Sequence, residues 1–328
     1  MQVVSFQDCK CEFMENLTLA IVVPCYNEVE VLSQTNERLR ALLDGMERDK
    51  LVTAGSYILY VDDGSRDGTW TLIDGYCENY DHVRGLKLAG NAGHQNALMA
   101  GLETARADAD LVVSVDADLQ DDISVIPEMI MKYHQGNDIV YGVRRNRKSD
   151  SFFKRTTAQC FYRFMSAMGA RTVNNHADFR LMSRRAVDAL CAYDERNLFL
   201  RGLVPKLGYK SDVVYYDRLE RKAGVSKYPL GKMMSFAVDG VTSFSVKPLR
   251  LIFYLGLVFL IISLAILAYV IASLCKGDGV QGWASLMLSI WFVGGCLLIC
   301  LSIIAAYIGR IYTEGKHRPR YNIEKYVK

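Results

Sequence analysis

The sequence predicts an α/β domain built on a mainly parallel sheet, followed by a C-terminal pair of membrane-spanning helices. Two observations carry this. Short apolar runs alternate with helical stretches through the first half of the chain, the rhythm of a sheet layered with helices. Further on, no Asp, Glu, Lys or Arg occurs between Leu251 and Leu274, or between Gly279 and Gly309. A helix needs roughly 20 apolar residues to cross a bilayer core, and both stretches suffice.

Taken in order, Leu19–Pro24 reads as a buried strand stopped by its proline, and residues 28–47 as a polar helix. Tyr57–Val61 is a second strand, and residues 69–79 are helical. Val83–Leu88 is a third strand, and His94–Ala105 has the Ala/Leu/Gly spacing of a packed helix. Leu111–Val115 is a fourth strand. In such sheets ligands bind beyond the carboxyl ends of the strands. Polar clusters follow Val23, Val61 and Val115, so a site is expected there. Residues 151–168 read as an amphipathic helix, and residues 229–250 as an interfacial segment rich in Tyr, Met and Phe.

Composition narrows the function. The 328-residue chain has a net charge of +3, which gives no footprint for nucleic acid. Its nine cysteines are odd in number and scattered, as in a reducing compartment. The link Cys275–Gly279 permits only a tight hairpin. Lys247 and Arg250 lie before the first span, and Arg310, Lys316, Arg318 and Arg320 after the second. The positive-inside rule then places both flanks, and the large N-terminal region, in the cytoplasm. The first residues carry acids and no apolar core, so no cleavable signal is expected.

The sharpest chemical signal is Asp116-Ala117-Asp118-Leu119-Gln120. Two carboxylates at a strand exit can share one hard cation whose shell is completed by water and phosphates. A second cluster, Asp62-Asp63-Gly64-Ser65-Arg66-Asp67-Gly68-Thr69, offers tight turns and acceptors for a base or ribose. Beside Pro24-Cys25-Tyr26-Asn27-Glu28 it reads as a nucleotide pocket, with Tyr26 against the base. His94, His134, His176 and His317 form no spaced ligand set, and neither a P-loop nor a dinucleotide fingerprint is present.

The set P-x-Y-N-E, D-D-G-S-x-D-G-T and D-A-D-L-Q, in this order, resembles family 2 glycosyltransferases of the GT-A fold. Asn91-Ala92-Gly93-His94-Gln95 looks like that family's N-x-G-H-Q. Ala177–Met182, Ala223–Tyr228 and Tyr307–Tyr312 resemble its bactoprenol glucosyltransferase branch, with dolichol-phosphate mannose synthases more distant. The resemblance spans roughly residues 18–322.

It implies transfer of a hexose, glucose foremost, from a UDP-sugar to undecaprenyl (polyprenyl) phosphate. The reaction would be inverting, dependent on Mg2+ or Mn2+, and set at the cytoplasmic membrane face, with a homotetramer among the family's habits. N-acetylglucosamine, mannose and aminoarabinose donors are the alternatives, and an inactive scaffold or sugar-nucleotide sensor the alternative of another class. By matched position, Pro24, Tyr26, Asn27, Glu28, Asp62, Asp63, Asp116, Ala117 and Arg144 would bind the nucleotide sugar. Asp116, Asp118 and Gln120 would surround the metal, and Asp118 and Asp178 would be catalytic. Arg147, Arg221, Ser226 and Lys227 would meet the diphosphate and the acceptor phosphate. A phosphate monoester is already anionic near neutral pH, so Asp178 need not act as a strong base and can instead orient the sugar.

The expected organisation is an N-terminal extension over 1–17, a GT-A domain over 18–228 and the interfacial segment over 229–250. Membrane helices over 251–274 and 283–308 and a cytoplasmic tail over 309–328 follow.

Overall fold

The computed structural model describes residues 17–145, 176–196, 198–217 and 282–328, with single positions between 252 and 268. These fall into two compact units. The first holds the α/β fold and the chain's last residues, 318–328. The second holds the apolar C-terminal helix. The N-terminal extension, the amphipathic stretch 151–168, the segment 229–250 and most of the first expected span lie outside the described residues.

Within the first unit, β1 (Leu19–Cys25), β2 (Tyr57–Asp62), β3 (Val83–Leu88) and β4 (Leu111–Ser114) form a parallel centre in the order β4-β1-β2-β3. Every residue of β1, β2 and β4 is buried, because helices cover both faces of these strands. Alternation assigns the faces. Leu19, Ile21, Val23, Ile58 and Tyr60 share a core with Leu32 and Leu39 of α1 (Val29–Arg48), Ile73 of α2 (Thr69–Asn79) and Met129 of α4 (Ile126–His134). Val22 and Val61 point the other way, onto α3 (His94–Ala105). Gly101 makes that contact possible: a Cβ there would stand 2.3 Å from a Val22 methyl and 2.9 Å from one of Val61.

One sequence expectation is corrected. Pro24 does not stop β1. The strand runs on through Cys25, with Pro24 opposite Val61 and Cys25 opposite Asp62. Proline costs only an N–H, and Asp63 N–H donates to the Cys25 carbonyl at 2.9 Å, so pairing continues past it.

Four further strands widen the sheet to eight, in the order β7-β5-β6-β4-β1-β2-β3-β8. β6 (His176–Ser183) runs antiparallel to β4 and to β5 (Ile139–Arg144), and β7 (Ser211–Tyr216) lies parallel to β5. Because β6 is reversed, its first residues lie beside the carboxyl ends of β4 and β5. That reversal decides where the site is built. Two helices follow β6: α5 (Arg184–Cys191), capped by Ser183 accepting from Ala186 N–H, and the short α6 (Leu200–Leu203).

The tail, expected only as a cytoplasmic segment, carries a strand. β8 (Ile323–Val327) pairs antiparallel with β3 and closes that edge of the sheet. Arg320 is almost buried; it donates to Glu103 at 3.1 Å and to the carbonyls of Tyr193 and Glu195.

In the second unit, α7 runs from Trp283 to Gly315, beginning at the expected residue and continuing past the expected end. Its window Phe292–Gly309 has a mean hydropathy of 2.3 and none of it is buried. Leu286, Ile290, Leu297, Ile299, Leu301 and Ile308 are all exposed. Core helices of water-soluble proteins bury such residues, so this exposure fits a helix whose solvent is lipid.

Candidate active site at the carboxyl ends of the strands

The nucleotide-pocket residues form a belt of loops locked to one another. Asn27 adopts a left-handed conformation (φ 55°) that its short polar side chain tolerates. Its backbone N–H donates to Ser65 Oγ at 3.0 Å, and its side-chain oxygen accepts from Arg66 N–H at 2.9 Å. Glu28 N–H donates to Thr69 Oγ1 at 2.9 Å. Asp67 accepts from Thr69 N–H and hydroxyl and from Val29 N–H, so one carboxylate ties together the starts of α1 and α2. Tyr26 is 42% exposed at the rim, free to meet a flat ring.

Asp62 and Asp63 divide their labour. Both oxygens of Asp63 are engaged, accepting from Ala92 N–H at 2.6 Å and Gly93 N–H at 3.0 Å. Asp63 therefore shapes the turn that leads into α3. Gly64, at φ 65°, packs so closely on Gly90 and Asn91 that a Cβ would stand 2.6 Å from the Gly90 carbonyl carbon. Asp62 accepts from Ser65 N–H through Oδ1, while its buried Oδ2 has no partner among the described residues. Burial raises the pKa of both carboxyls, against the bonds they accept. Of the two, only Asp62 keeps a carboxylate oxygen without a partner among the described residues.

Beyond β4, the chain turns with Leu119 in a left-handed conformation (φ 41°), and Thr35 Oγ1 donates to the Ala117 carbonyl at 2.6 Å. Gln120 is buried and donates to Asp118 from its side chain at 2.6 Å. Asp116 lies in a recess: its side chain is 40% exposed, yet protein crowds around it. Desolvation is the main force lifting its pKa to about 6. His94 opposes the rise, and the carboxylates of Asp178, Asp121 and Asp118 add to it.

That crowding bears on the expected metal. Among the described residues no three His, Cys, Asp or Glu side chains converge to hold an ion by themselves. Asp116 and Asp118 nonetheless present hard oxygen donors side by side beyond β4, and a small divalent ion is commonly held by one or two carboxylates plus phosphate oxygens. The donor set fits such an ion. Gln120 donates to Asp118 from both its backbone and its side chain.

Asp178, at the start of β6, is 5% exposed and surrounded by donors. Arg180, two residues on along the same strand, reaches Oδ1 at 2.8 Å. Arg201 of α6 approaches with Nε at 3.3 Å and Nη2 at 3.1 Å, Gln95 Nε2 stands at 3.5 Å, and His94 Nε2 at 3.6 Å. Ser114 on β4 also donates to the Asp178 carbonyl. Burial would raise this carboxyl's pKa, but the His94 imidazole 3.6 Å away and the two guanidinium charges hold it far below the usual range. For His94 the balance runs the other way: burial lowers its pKa, and Asp178 and Asp116 together raise it above the ordinary value. His94 thus bridges the two carboxylates, 3.8 Å from Asp116.

Arg144 ends β5 at the same edge of the sheet. It is held by Asp121, a residue the sequence did not single out. Asp116, Asp118, Asp178 and Arg144 therefore gather at one edge, with Asp62 across β1. The remaining expected positions, Arg147, Arg221, Ser226 and Lys227, lie outside the described residues. Sequence reading also missed Gln95, Arg180, Arg201 and Tyr216. Gln95 and Arg180 left a signal, since each stands in a segment that resembles the family's, and Arg180, two along from Asp178 on a strand, shares its face.

Comparison with known proteins decides the lineage. The model for glycosyl transferase family 2 matches residues 20–191. The chain belongs to the family 2 glycosyltransferases. It is 53% identical to the Bacillus subtilis glycosyltransferase YkoT over 93% of this chain and 91% of that one. It is 39% identical to the bactoprenol glucosyl transferase of Shigella phage SfV over 94% of this chain and 98% of the phage protein. A solved mannosyl-3-phosphoglycerate synthase from Rubrobacter xylanophilus aligns with 71% of this chain and 74% of its own, at 18% identity and a TM-score of 0.47. This family 2 member has a GT-A-like α/β unit.

Proposed function

We propose that this glycosyltransferase moves glucose from UDP-glucose to a polyprenyl phosphate, releasing UDP, at the cytoplasmic face of a membrane that anchors it. The observation that carries the reading is the gathering of Asp116, Asp118, Arg144 and Asp178 at one sheet edge, in a chain similar over nearly its whole length to bactoprenol glucosyl transferases.

The chemistry follows from these side chains. Asp62 accepts from the uracil or ribose, and Tyr26 lies on the base. Asp116 and Asp118 would hold a divalent ion, which when bound would supply positive charge to offset that growing on the departing diphosphate. Arg144 supplies a cationic partner for the same oxygens. The acceptor's phosphate oxygen attacks the anomeric carbon from the face opposite the UDP, the C–O bond to UDP breaks, and the configuration inverts. That oxygen is already anionic, so no proton need be taken up at the moment of attack. Asp178, held ionised between Arg180, Arg201 and His94, is poorly suited to accept a proton. Its role is to fix those groups and to orient the sugar. Most of the rate enhancement then comes from positioning and charge neutralisation.

Arg147, Arg221, Ser226 and Lys227 receive the acceptor phosphate in this reading, while the polyprenyl chain stays in the bilayer beside the apolar helices. A panel of UDP-glucose, UDP-N-acetylglucosamine and GDP-mannose, offered with undecaprenyl phosphate and Mg2+ or Mn2+, tests the donor. UDP-glucose should be consumed at least tenfold faster than the others, and only when the lipid is present. Faster turnover of another donor would reassign the sugar.

A further inference from the structure

Arg144 is not a free surface cation but the centre of a small buried frame. Its Nε donates to Asp121 Oδ1 at 3.0 Å and its Nη2 donates to the same oxygen at 2.7 Å. Tyr216, which ends β7 directly opposite Arg144 in the ladder, donates its hydroxyl to that oxygen at 2.7 Å and lies 3.3 Å from Arg144 Nε. One oxygen of a carboxylate that is 1% exposed thus receives three donors. Nη1 of Arg144 has no partner among the described residues, and the Arg144 side chain keeps 26% of its surface open.

Tyr216 is itself seated without slack. Its ring meets Phe179 edge-on, with centroids 5.5 Å apart and planes at 79°. Both rings close over Gly142, where a Cβ would stand 2.5 Å from Phe179 and 3.0 Å from Tyr216. The glycine two residues before Arg144 therefore admits the ring whose hydroxyl completes the frame. Phe179 in turn adjoins Asp178, so the frame shares a wall with the other half of the site.

We propose that Asp121 and Tyr216 are positioning residues that aim the Arg144 guanidinium at the diphosphate of the nucleotide sugar. The proposal rests on the donor reading given above. Carboxylate and hydroxyl hold one edge of a planar, rigid fork. The fork cannot swing away when the site is empty, and its open edge is ready when the donor arrives. A surface arginine without such a frame would give up rotamer freedom on each binding event.

The test uses the full-length chain in detergent or nanodiscs, with Asp121→Asn, Tyr216→Phe and Arg144→Ala, and each of the first two combined with the third. UDP affinity is measured by calorimetry, and KM for UDP-glucose and for undecaprenyl phosphate is measured separately. Asp121→Asn should weaken UDP binding and raise the UDP-glucose KM about tenfold, the scale of one charge-assisted hydrogen bond. Tyr216→Phe should do so about threefold. Neither should change the undecaprenyl phosphate KM, and neither should weaken UDP binding further once Arg144 is alanine. Tyr216→Phe removes a single oxygen and leaves the ring seated, so it reports even where Asp121→Asn folds poorly. Unchanged UDP affinity in Tyr216→Phe, or full additivity with Arg144→Ala, would overturn the proposal while leaving the donor reading intact. A wild-type chain that binds no UDP would overturn both.

Discussion

At the scale of single residues, the carboxylates of Asp116, just beyond β4, and Asp178, at the start of β6, are held in opposite states. Asp116 is pushed up to about 6 by burial and by its acidic neighbours, whereas Asp178 is clamped as an anion. A group whose pKa is raised gives up its proton only above that value. Donor binding that needs the Asp116 carboxylate should therefore fade as pH falls through about 6. A divalent ion competes with that proton, so raising Mg2+ should move the acidic limb of kcat/KM to lower pH. A limb insensitive to Mg2+ would mean that Asp116 does not meet the ion.

Asp178 has the opposite sign. Its depressed pKa contributes stability that is present above the unfolded value, about 3.9, and is lost as pH falls through the folded one. Asp178→Asn leaves Arg180 buried without its counter-ion and should cost about 3–5 kcal/mol at pH 7, read as a lower Tm. It should also reduce kcat about a hundredfold. Near-normal turnover in a folded variant would remove Asp178 from the mechanism. Asp178 and Arg180 were within reach of sequence reading, since both stand in the Ala177–Met182 segment. Arg201 and Tyr216 were not, because they come from elements distant in sequence and stand in no recognisable motif.

At the scale of elements, β1 to β4 and the helices between them were legible because they are buried on both faces and so read as near-continuous apolar runs. The outer strands were not. β6 carries a buried Asp178 and Arg180 in place of apolar residues, and β8 is mostly exposed, so neither shows the pattern of a core strand. The consequence for the site is specific. Arg320 and Tyr321 both bond Glu103 on α3, and Ala89 N–H donates to the Asn322 carbonyl at 2.9 Å, one residue before the turn that Asp63 shapes. At the far end of α3, His94 and Gln95 meet Asp178. Arg320→Ala should accordingly cost about 2–3 kcal/mol and lower kcat together with Tm, whereas Lys325→Ala, which breaks an exposed pair with Asp74, should leave both nearly unchanged. Gly101→Ala forces a methyl into Val22 and should destabilise by about 1–3 kcal/mol.

At the scale of the whole molecule, the chain combines a strand-end site with a helix long and apolar enough to cross a membrane. Span length and charge-free composition made that helix readable at once, since the bilayer imposes a minimum length. The division of labour was less visible, because residues 318–328 return to the first unit after the apolar helix. Replacing residues 251–317 with a long flexible linker should therefore weaken attachment to membranes and retain UDP binding, while removing transfer to the lipid. Loss of UDP binding in that variant, measured by calorimetry, would mean that the site depends on the excised segment.

The most direct test of the central claim is mass spectrometry of the lipid after incubating the purified full-length chain with UDP-glucose, undecaprenyl phosphate and Mg2+ or Mn2+. The account predicts a product heavier than undecaprenyl phosphate by one hexose residue, formed with equimolar UDP and absent with Asp118→Asn. Unmodified lipid with either ion, from a folded protein that binds UDP, would contradict it.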